Sequence, residues 1–258
     1  MMAQIHPTAI VHHKARVAAS AVIGPFSIIA EGAEVSEGCV IADSVLIDSW
    51  VKLGRNAQVF HGAAVGGSPQ DLKFKGEKSF VEIGEETVIR EFVTVNRGTG
   101  ERGVTRVGTG VLLMAYAHVA HDCEIGEGAI LANSVNLAGH VTIEPYAIVG
   151  GITPVHQFVR IGKYAIVGGA SRAAQDVVPY AKAAGNPLKV YGLNTVGLSR
   201  RGISLSVQEI LKKAFRILFR SGLNTSQALE RLKLDLVPIP EIQYLIQFIE
   251  TTKRGITK

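Results

Sequence analysis

An aliphatic residue recurs every six positions through most of this 258-residue chain. From Ile5 to Val167, 25 of the 28 positions in this series are Ile, Leu or Val, and only Asp71, Glu77 and Glu101 interrupt it. A period of six matches neither the period of about 3.6 of a helix nor that of about 2 of a straight strand. It is typical of short strands joined by corners, where one aliphatic side chain per strand points into a prism.

This repeat predicts a mainly β fold in which three hexads close one triangular coil. Residues 18 apart in the sequence should then stack in neighbouring coils, at about the 4.8 Å spacing of paired strands. Glycines that follow the aliphatic residue, as in Ile23-Gly24, are expected to permit the tight corners. Two interruptions that preserve the phase predict loops near residues 66–80 and 96–106. We therefore expect a parallel β-helix over residues 1–185.

The last part of the chain, residues 186–258, is predicted to be a helical domain. Ser206 and Glu209 have the spacing of a helix capping box. Further helices are predicted over Thr225–Leu236 and Glu241–Thr252. The first of the predicted helices has one apolar face, formed by Val207, Ile210, Leu211, Ala214 and Leu218.

Composition and charge narrow the classes of function. The net charge of +5 is uneven, because residues 189–258 carry +7 and the rest of the chain −2. Such a basic surface suits an acidic protein, an anionic lipid or a phosphorylated ligand, whereas nucleic acid is disfavoured because aromatic residues do not interleave with the cations. No apolar run is long enough to span a bilayer and no secretory signal begins the sequence, so we expect a cytoplasmic protein without a transmembrane segment. Two cysteines imply no disulfide framework.

Histidines concentrate in one stretch, since four of the eight fall between positions 118 and 156. His121, Gly139 and Gln157 are 18 residues apart and should therefore stack along one edge of the prism. The adjacent column is formed by Asp122, His140 and Phe158.

This column predicts acyl transfer to a hydroxyl group. The reaction needs a base for the alcohol proton and a donor for the developing oxyanion. His121 can be the base, Asp122 can orient its imidazole, and the N–H of Gly139 can serve the oxyanion. Because no Ser or Cys lies in a recognised nucleophile motif, and Cys123 is interpreted as a small buried residue, direct attack by the acceptor is expected.

Six stretches in this order and spacing resemble the UDP-N-acetylglucosamine O-acyltransferase family of hexapeptide-repeat enzymes, over essentially the whole chain. They are PQDLKFKGE (69–77), HVAHDC (118–123), LAGHV (137–141), VHQF (155–158), GNP (185–187) and GLSRRG (197–202). The resemblance implies a left-handed β-helix, a homotrimer with active sites in clefts between subunits, and no metal or organic cofactor. It also implies transfer of a 3-hydroxyacyl chain from acyl carrier protein to the 3-position of UDP-N-acetylglucosamine, the first step of lipid A synthesis.

The same resemblance assigns roles to individual residues. His121 would be the general base, Asp122 its partner and Gly139 the oxyanion donor. The sugar and acyl chain would be lined by Asp71, Lys73, His118, His140, His156 and Gln157. The uridine and diphosphate would be held by Asn194, Arg200 and Arg201. Gly169 falls where the family sets the acyl length, and a glycine there implies a mid-to-long chain.

Two departures from the family pattern keep alternatives open. Val196 stands where members have an acid, and Asn96 where they often have histidine, which leaves a 3-amino sugar as a second acceptor. A zinc β-helix enzyme like carbonic anhydrase would use His118, His121 and His140, but with a different ligand spacing. A non-catalytic solenoid explains the prism but not the histidines. The related N-acyltransferases carry an additional N-terminal domain, for which hexads beginning at Ile5 leave no room.

Overall fold

A computed structural model describes residues 3–100 and 103–258, so the predicted interruption at Glu101 lies outside the described residues. Three parallel sheets form the three sides of a prism. Through most of the prism each strand pairs with the third strand after it, as Ile5 does with Ile23, which is the predicted spacing of 18. The hexad therefore builds the coil that the sequence predicts.

The strands are short, and each sheet takes every third one until the end of the prism, where the last two strands both join the first sheet. The first sheet contains β1 (Gln4–Ile5), β4 (Val22–Ile23), β7 (Val40–Ile41), β10 (Gln58–Val59), β13 (Val88–Ile89), β16 (Leu112–Leu113), β19 (Ile130–Leu131), β22 (Ile148–Val149), β25 (Ile166–Val167), β26 (Ala181–Ala184) and β27 (Lys189–Leu193). The second contains β2 (Ile10–Val11), β5 (Ile28–Ile29), β8 (Leu46–Ile47), β11 (Ala64–Gly67), β14 (Thr94–Asn96), β17 (His118–Val119), β20 (Asn136–Leu137) and β23 (Pro154–Val155). The third contains β3 (Arg16–Val17), β6 (Glu34–Val35), β9 (Val51–Leu53), β12 (Phe80–Ile83), β15 (Val104–Val107), β18 (Glu124–Ile125), β21 (Thr142–Ile143) and β24 (Arg160–Ile161).

The core of the prism has two inward positions per hexad rather than the one that was predicted. From Ile23 onward the aliphatic residue, such as Ile29 or Leu113, is buried. The residue two places earlier is also buried and is small, as with Ala21, Ala57 and Ala117. The small side chain fills the space beside the larger one, which gives a close-packed interior. Cys123 occupies this small position, as its interpretation as a buried residue predicted.

The corners turn through a left-handed backbone residue, but this residue is not the predicted glycine. Phe26 and Tyr116 are examples of non-glycine corner residues with a positive φ, three residues after the aliphatic one. The glycines directly after the aliphatic residue have a different role, and the prediction that they permit the tight corners was wrong. A Cβ atom at Gly24 would lie 2.6 Å from the carbonyl carbon of Ala42 in the next coil. These glycines let neighbouring coils approach each other.

Both loops leave the prism at the corner between the second and third sheets, which we call the 2–3 corner. The first runs over residues 68–79 between β11 and β12, and the second follows β14 and ends at β15. Gly66, Gly67 and Phe80 belong to strands, so the first loop is shorter than predicted. The remaining corners are called the 3–1 corner and the 1–2 corner after the sheets that they join.

The hexad phase fades after Val167 because the last coil is shorter. Ile161 pairs with Val177 and Val167 with Ala183, a spacing of 16 instead of 18. The chain then turns back as β27, which pairs antiparallel with β26 and was not predicted.

Among the described residues four helices follow the prism: α1 (Thr195–Arg200), α2 (Leu205–Arg220), α3 (Thr225–Asp235) and α4 (Pro240–Glu250). The predicted capping box at Ser206 and Glu209 was wrong. Ser204 caps α2 instead, and its hydroxyl accepts from the N–H of Val207 at 3.4 Å. The predicted apolar face of α2 is packed against the core, and it also includes Phe215. Within the described ranges, no helix combines the length and the apolar character that crossing a membrane requires.

Candidate active site

The predicted base and its partner are in contact at the 2–3 corner. His121 Nδ1 lies 2.9 Å from Asp122 Oδ2, and both residues are almost fully buried. Since the carboxylate accepts, Nδ1 carries the proton and Nε2 has the free lone pair. The pair thus has the tautomer that a general base requires.

The second loop fixes the Asp122 carboxylate, through residues that the sequence did not suggest. Thr99 donates its N–H to both carboxylate oxygens, at 2.9 and 3.1 Å, and its hydroxyl to Oδ2 at 2.6 Å. The N–H of Asp122 donates to the Thr105 hydroxyl at 2.9 Å. Burial alone would raise the pKa of Asp122, but the hydrogen bonds from Thr99 and His121 and the nearby His140 outweigh it and lower that pKa. Asp122 is therefore held ionised and in one orientation.

Gly139 lies against the imidazole of His121. A Cβ atom at position 139 would be 2.5 Å from His121 Nε2, so only glycine leaves room for this ring. Among the described residues, no hydrogen bond uses the N–H of Gly139. The position of Gly139 beside the His121 ring therefore follows the predicted column, and its N–H remains available as a donor.

The other predicted residues of this column surround the pair. The His140 ring meets that of His121 edge-on at 5.0 Å and stacks on Phe158 at 4.8 Å. His118 lies on β17, where its Nδ1 is 2.7 Å from the Thr94 hydroxyl. Burial, assisted by the nearby His121, lowers the pKa of His118 and favours its neutral form.

Similarity to known proteins identifies the family of this chain. A family model described as UDP N-acetylglucosamine O-acyltransferase, domain 2, matches residues 176–257, and one described as bacterial transferase hexapeptide matches residues 105–139. An acyl-[acyl-carrier-protein]–UDP-N-acetylglucosamine O-acyltransferase of Thermodesulfovibrio yellowstonii is 45% identical over all of both chains. One of Sulfurihydrogenibium sp. is 52% identical, over 99% of this chain and 94% of that protein. The chain belongs to the UDP-N-acetylglucosamine O-acyltransferase family.

Solved structures of this family agree with the fold. A UDP-N-acetylglucosamine acyltransferase of Bacteroides fragilis superposes with a TM-score of 0.97 at 40% identity, over 99% of this chain and 100% of that one. The prism is a left-handed parallel β-helix, as was predicted.

The geometry at the 2–3 corner bears on the zinc alternative. Within the described part of the chain, one His/Asp group has ligand atoms close enough for a metal ion, all within 4.8 Å, and it consists of His121, Asp122 and His140. This differs from the set considered from sequence, because His118 is directed to Thr94. Both oxygens of Asp122 accept from Thr99, and its Oδ2 also contacts His121. The hydrogen bonds of this carboxylate fit an orienting role better than that of a metal ligand.

The two departures from the family pattern lie in different surroundings. Asn96 is buried at the end of β14, where its amide donates to the Ser68 carbonyl at 3.1 Å and secures the base of the first loop. Its Oδ1 is buried without a hydrogen-bond partner among the described residues. Val196 lies on α1 and is 61% exposed. Within the described ranges, neither residue hydrogen-bonds to the His121–Asp122 pair.

The predicted nucleotide residues lie at the 3–1 corner, away from His121. A cavity of about 280 Å³ is lined by Arg200, Arg201 and Asn194 together with Tyr146 and Tyr164. The guanidinium of Arg201 lies 4.4 Å over the Tyr146 ring. Asn194 is the N-cap of α1 and also donates to the Tyr164 carbonyl at 2.9 Å. Part of its hydrogen-bonding capacity therefore serves the fold.

The remaining predicted residues are dispersed. Asp71 and Lys73 are on the first loop, where the Asp71 carboxylate accepts from the N–H of Lys73 at 2.9 Å. His156 and Gln157 are exposed at the 2–3 corner. Gly169 is exposed at the 1–2 corner, where a Cβ atom would lie 3.2 Å from the Gly151 carbonyl oxygen. One chain thus distributes the predicted site over all three corners.

Proposed function

We propose that this protein transfers a 3-hydroxyacyl chain from acyl carrier protein to the 3-hydroxyl of UDP-N-acetylglucosamine, the first step of lipid A synthesis. The observation that carries the proposal is the His121 imidazole, which rests on the Gly139 backbone with its Nδ1 on Asp122. The full-length relatives support the substrates, because their names specify both the donor and the acceptor.

In the proposed reaction His121 Nε2 removes the proton of the sugar hydroxyl as its oxygen attacks the thioester carbonyl. The buried Asp122 carboxylate stabilises the imidazolium that forms. The oxyanion of the tetrahedral intermediate accepts a hydrogen bond from the N–H of Gly139. When the intermediate collapses, the C–S bond breaks, and His121 returns the proton to the departing thiolate.

We further propose a homotrimer with the active site between subunits. The support is the dispersal of the predicted residues, because a symmetric assembly can bring the 2–3 corner of one subunit to a different corner of the next. His121 would then face residues such as Gly169 of a neighbouring copy. Asp71 and Lys73, on a loop that projects from the 2–3 corner, would reach into the same cleft.

The substrate contacts follow the chemistry of the side chains. Arg200 and Arg201 would bind the diphosphate, since a guanidinium pairs with phosphate oxygens through two parallel hydrogen bonds. Tyr146 and Tyr164 offer aromatic surface beside them. His118, His140 and Gln157 would contact the sugar and acyl chain, and Gly169 would leave room for a mid-to-long chain.

The acidic acyl carrier protein matches the charge of +7 over residues 189–258. We place the reaction in the cytoplasm, where acyl carrier protein and nucleotide sugars are made. Cell fractionation with an antibody to the chain tests this location.

The decisive experiment combines the purified protein with UDP-N-acetylglucosamine and 3-hydroxyacyl carrier proteins of several lengths. Wild type should give acylated nucleotide sugar, and His121→Gln should lose at least about 1,000-fold in kcat. The matched control is His61→Gln, which removes another aspartate-bound histidine and should retain activity. If no chain length gives product, the 3-amino sugar is tested next; failure with both acceptors would refute the acyltransferase proposal.

A further inference from the structure

The last residues of the chain, 251–258, lie across the end of the prism and are fixed by backbone hydrogen bonds. The N–H of Asp176 donates to the Gly255 carbonyl at 2.9 Å, and the N–H of Thr257 donates to the Asp176 carbonyl at 2.8 Å. Ile256 and Thr257 are buried. The position of Arg254, immediately before this bridge, is therefore set by the fold.

Arg254 reaches back to a histidine of the predicted site. Its Nη2 lies 3.2 Å from His156 Nδ1, although the two residues are 98 apart in the sequence. Its Nε is buried without a hydrogen-bond partner among the described residues. Burial raises the pKa of Asp176, while hydrogen bonds from Thr252 and Arg160 and the positive charges of Arg160 and Arg254 lower it in part. The described hydrogen bond of the Arg254 guanidinium therefore leads to His156.

The contact selects one tautomer of His156. A guanidinium can only donate, so Nδ1 must accept and the ring proton must be on Nε2. A second contact competes, because His156 Nδ1 also lies 3.2 Å from the Gln157 carbonyl oxygen. That hydrogen bond would require a proton on Nδ1. The charge-assisted bond from Arg254 is the stronger of the two.

We propose that Arg254 is a positioning residue that keeps the ring proton of His156 on Nε2, where it can be donated in a hydrogen bond to an oxygen of the bound substrate. The functional part rests on the proposed acyl transfer, since His156 adjoins the column of His121, Gly139 and Gln157. The tautomer itself is a property of the protein without substrate. The C-terminal residues would therefore take part in forming the substrate site.

The tautomer is measured by ¹⁵N NMR of the full-length protein labelled at histidine, with His156 assigned by its loss in His156→Gln. Wild type should show a protonated Nε2 and an unprotonated Nδ1. In Arg254→Met, which keeps an apolar stem without a donor, the proton should move largely to Nδ1. Lys253→Met removes one positive charge from the adjacent exposed position and should leave the spectrum of His156 unchanged. A proton on Nδ1 in wild type, or no change in Arg254→Met, would overturn the proposal.

Kinetics then test the role in the reaction. Arg254→Met should raise KM about tenfold, the effect of losing one hydrogen bond to the substrate, with a smaller change in kcat. Arg254→Lys, which retains a charged donor, should recover most of this loss. In a His156→Gln background, Arg254→Met should have no further effect. If the NMR result holds while the wild type has no acyltransferase activity, the proposed function fails but the assigned tautomer stands. If Arg254→Met still raises KM tenfold in the His156→Gln background, the positioning role is refuted.

Discussion

Two histidine–aspartate pairs in this molecule have nearly the same hydrogen bond but different surroundings. His121 Nδ1 lies 2.9 Å from Asp122, and His61 Nδ1 lies 2.7 Å from Asp43. Both histidines follow a buried aliphatic residue by two positions, and the carbonyl of each accepts an N–H from the next coil at 3.0 Å. Their side-chain exposures separate them: 6% and 0% in the first pair, 46% and 45% in the second.

The neighbours of the two pairs explain why only one is a candidate base. Gly139 stacks on His121 and exposes its backbone to the ring, whereas the register of the strands stacks Glu91 on His61. Thr99 fixes Asp122 inside the protein, whereas the Asp43 carboxylate faces water. An electrostatic interaction is stronger where water is excluded. The hydrogen bond is thus common to both pairs, and the surroundings confer the chemistry.

Among variants that keep both members of the His121–Asp122 pair, the largest effect should come from placing a methyl group between His121 and the backbone beneath it. Gly139→Ala puts a Cβ atom 2.5 Å from His121 Nε2 and must displace the ring, so kcat should fall about 100-fold. The fold should tolerate it, because the clash is with a side chain. In Gly126→Ala the added atom would meet the backbone nitrogen of Pro145 at 2.5 Å, and that variant should lose stability, by about 1–3 kcal/mol.

Steady-state kinetics and thermal unfolding of the two glycine variants check this pair of outcomes. A Gly139→Ala enzyme with unchanged kcat would show that the approach of the ring to this backbone is not needed for the reaction.

The same comparison shows what the sequence could predict. The column of His121 and Gly139 follows from a spacing of 18, because strand pairing converts sequence distance into position. Thr99 could not be predicted, since it lies on a loop whose path the hexad does not determine. The contact of Arg254 with His156 could not be predicted either, because it depends on how the chain after the helices returns to the prism.

Sequence signals that are local proved weaker than the repeat. Ser206 and Glu209 have the spacing of a capping box, yet Ser204 is the cap. The sequence does not distinguish the two serines, because they lie within three residues and offer equivalent hydroxyls. The strand Lys189–Leu193 has no hexad to mark it and owes its pairing to the return of the chain along β26. Glycines directly after the aliphatic residues were predicted to permit the corners, but they are needed because neighbouring coils lie in close contact there.

A smaller effect is expected from loosening Asp122 while leaving it in place. Thr99→Val removes the hydroxyl that donates to Oδ2 at 2.6 Å but keeps the backbone N–H, so kcat should fall about tenfold. Thr99→Ser restores the hydroxyl and should recover most of the rate. Asp43→Asn, which alters the partner of the exposed His61, should not change the rate. Equal losses in the serine and valine variants would mean that the loop packing matters and the hydroxyl does not.

The smallest effect concerns the stability of the two pairs in acid. The pKa of Asp122 lies below its ordinary value of about 4, so the unfolded chain takes up the proton first as the pH falls. Its contribution to the free energy of unfolding is therefore present above that ordinary value and is lost as the pH falls through the lower pKa of the folded state. The hydrogen bond from His61 also lowers the pKa of Asp43, but that carboxylate is exposed to solvent and salt.

Denaturant unfolding from about pH 5 to about pH 3 separates the two carboxylates. Asp122→Asn should flatten the decline of the free energy of unfolding with falling pH, whereas Asp43→Asn should leave most of that decline. Added salt should reduce the small contribution of Asp43 and hardly affect that of Asp122, because a buried pair is little screened. If the two variants flattened the decline equally, the surroundings would not distinguish the pairs, and the hydrogen bond alone would have to account for both.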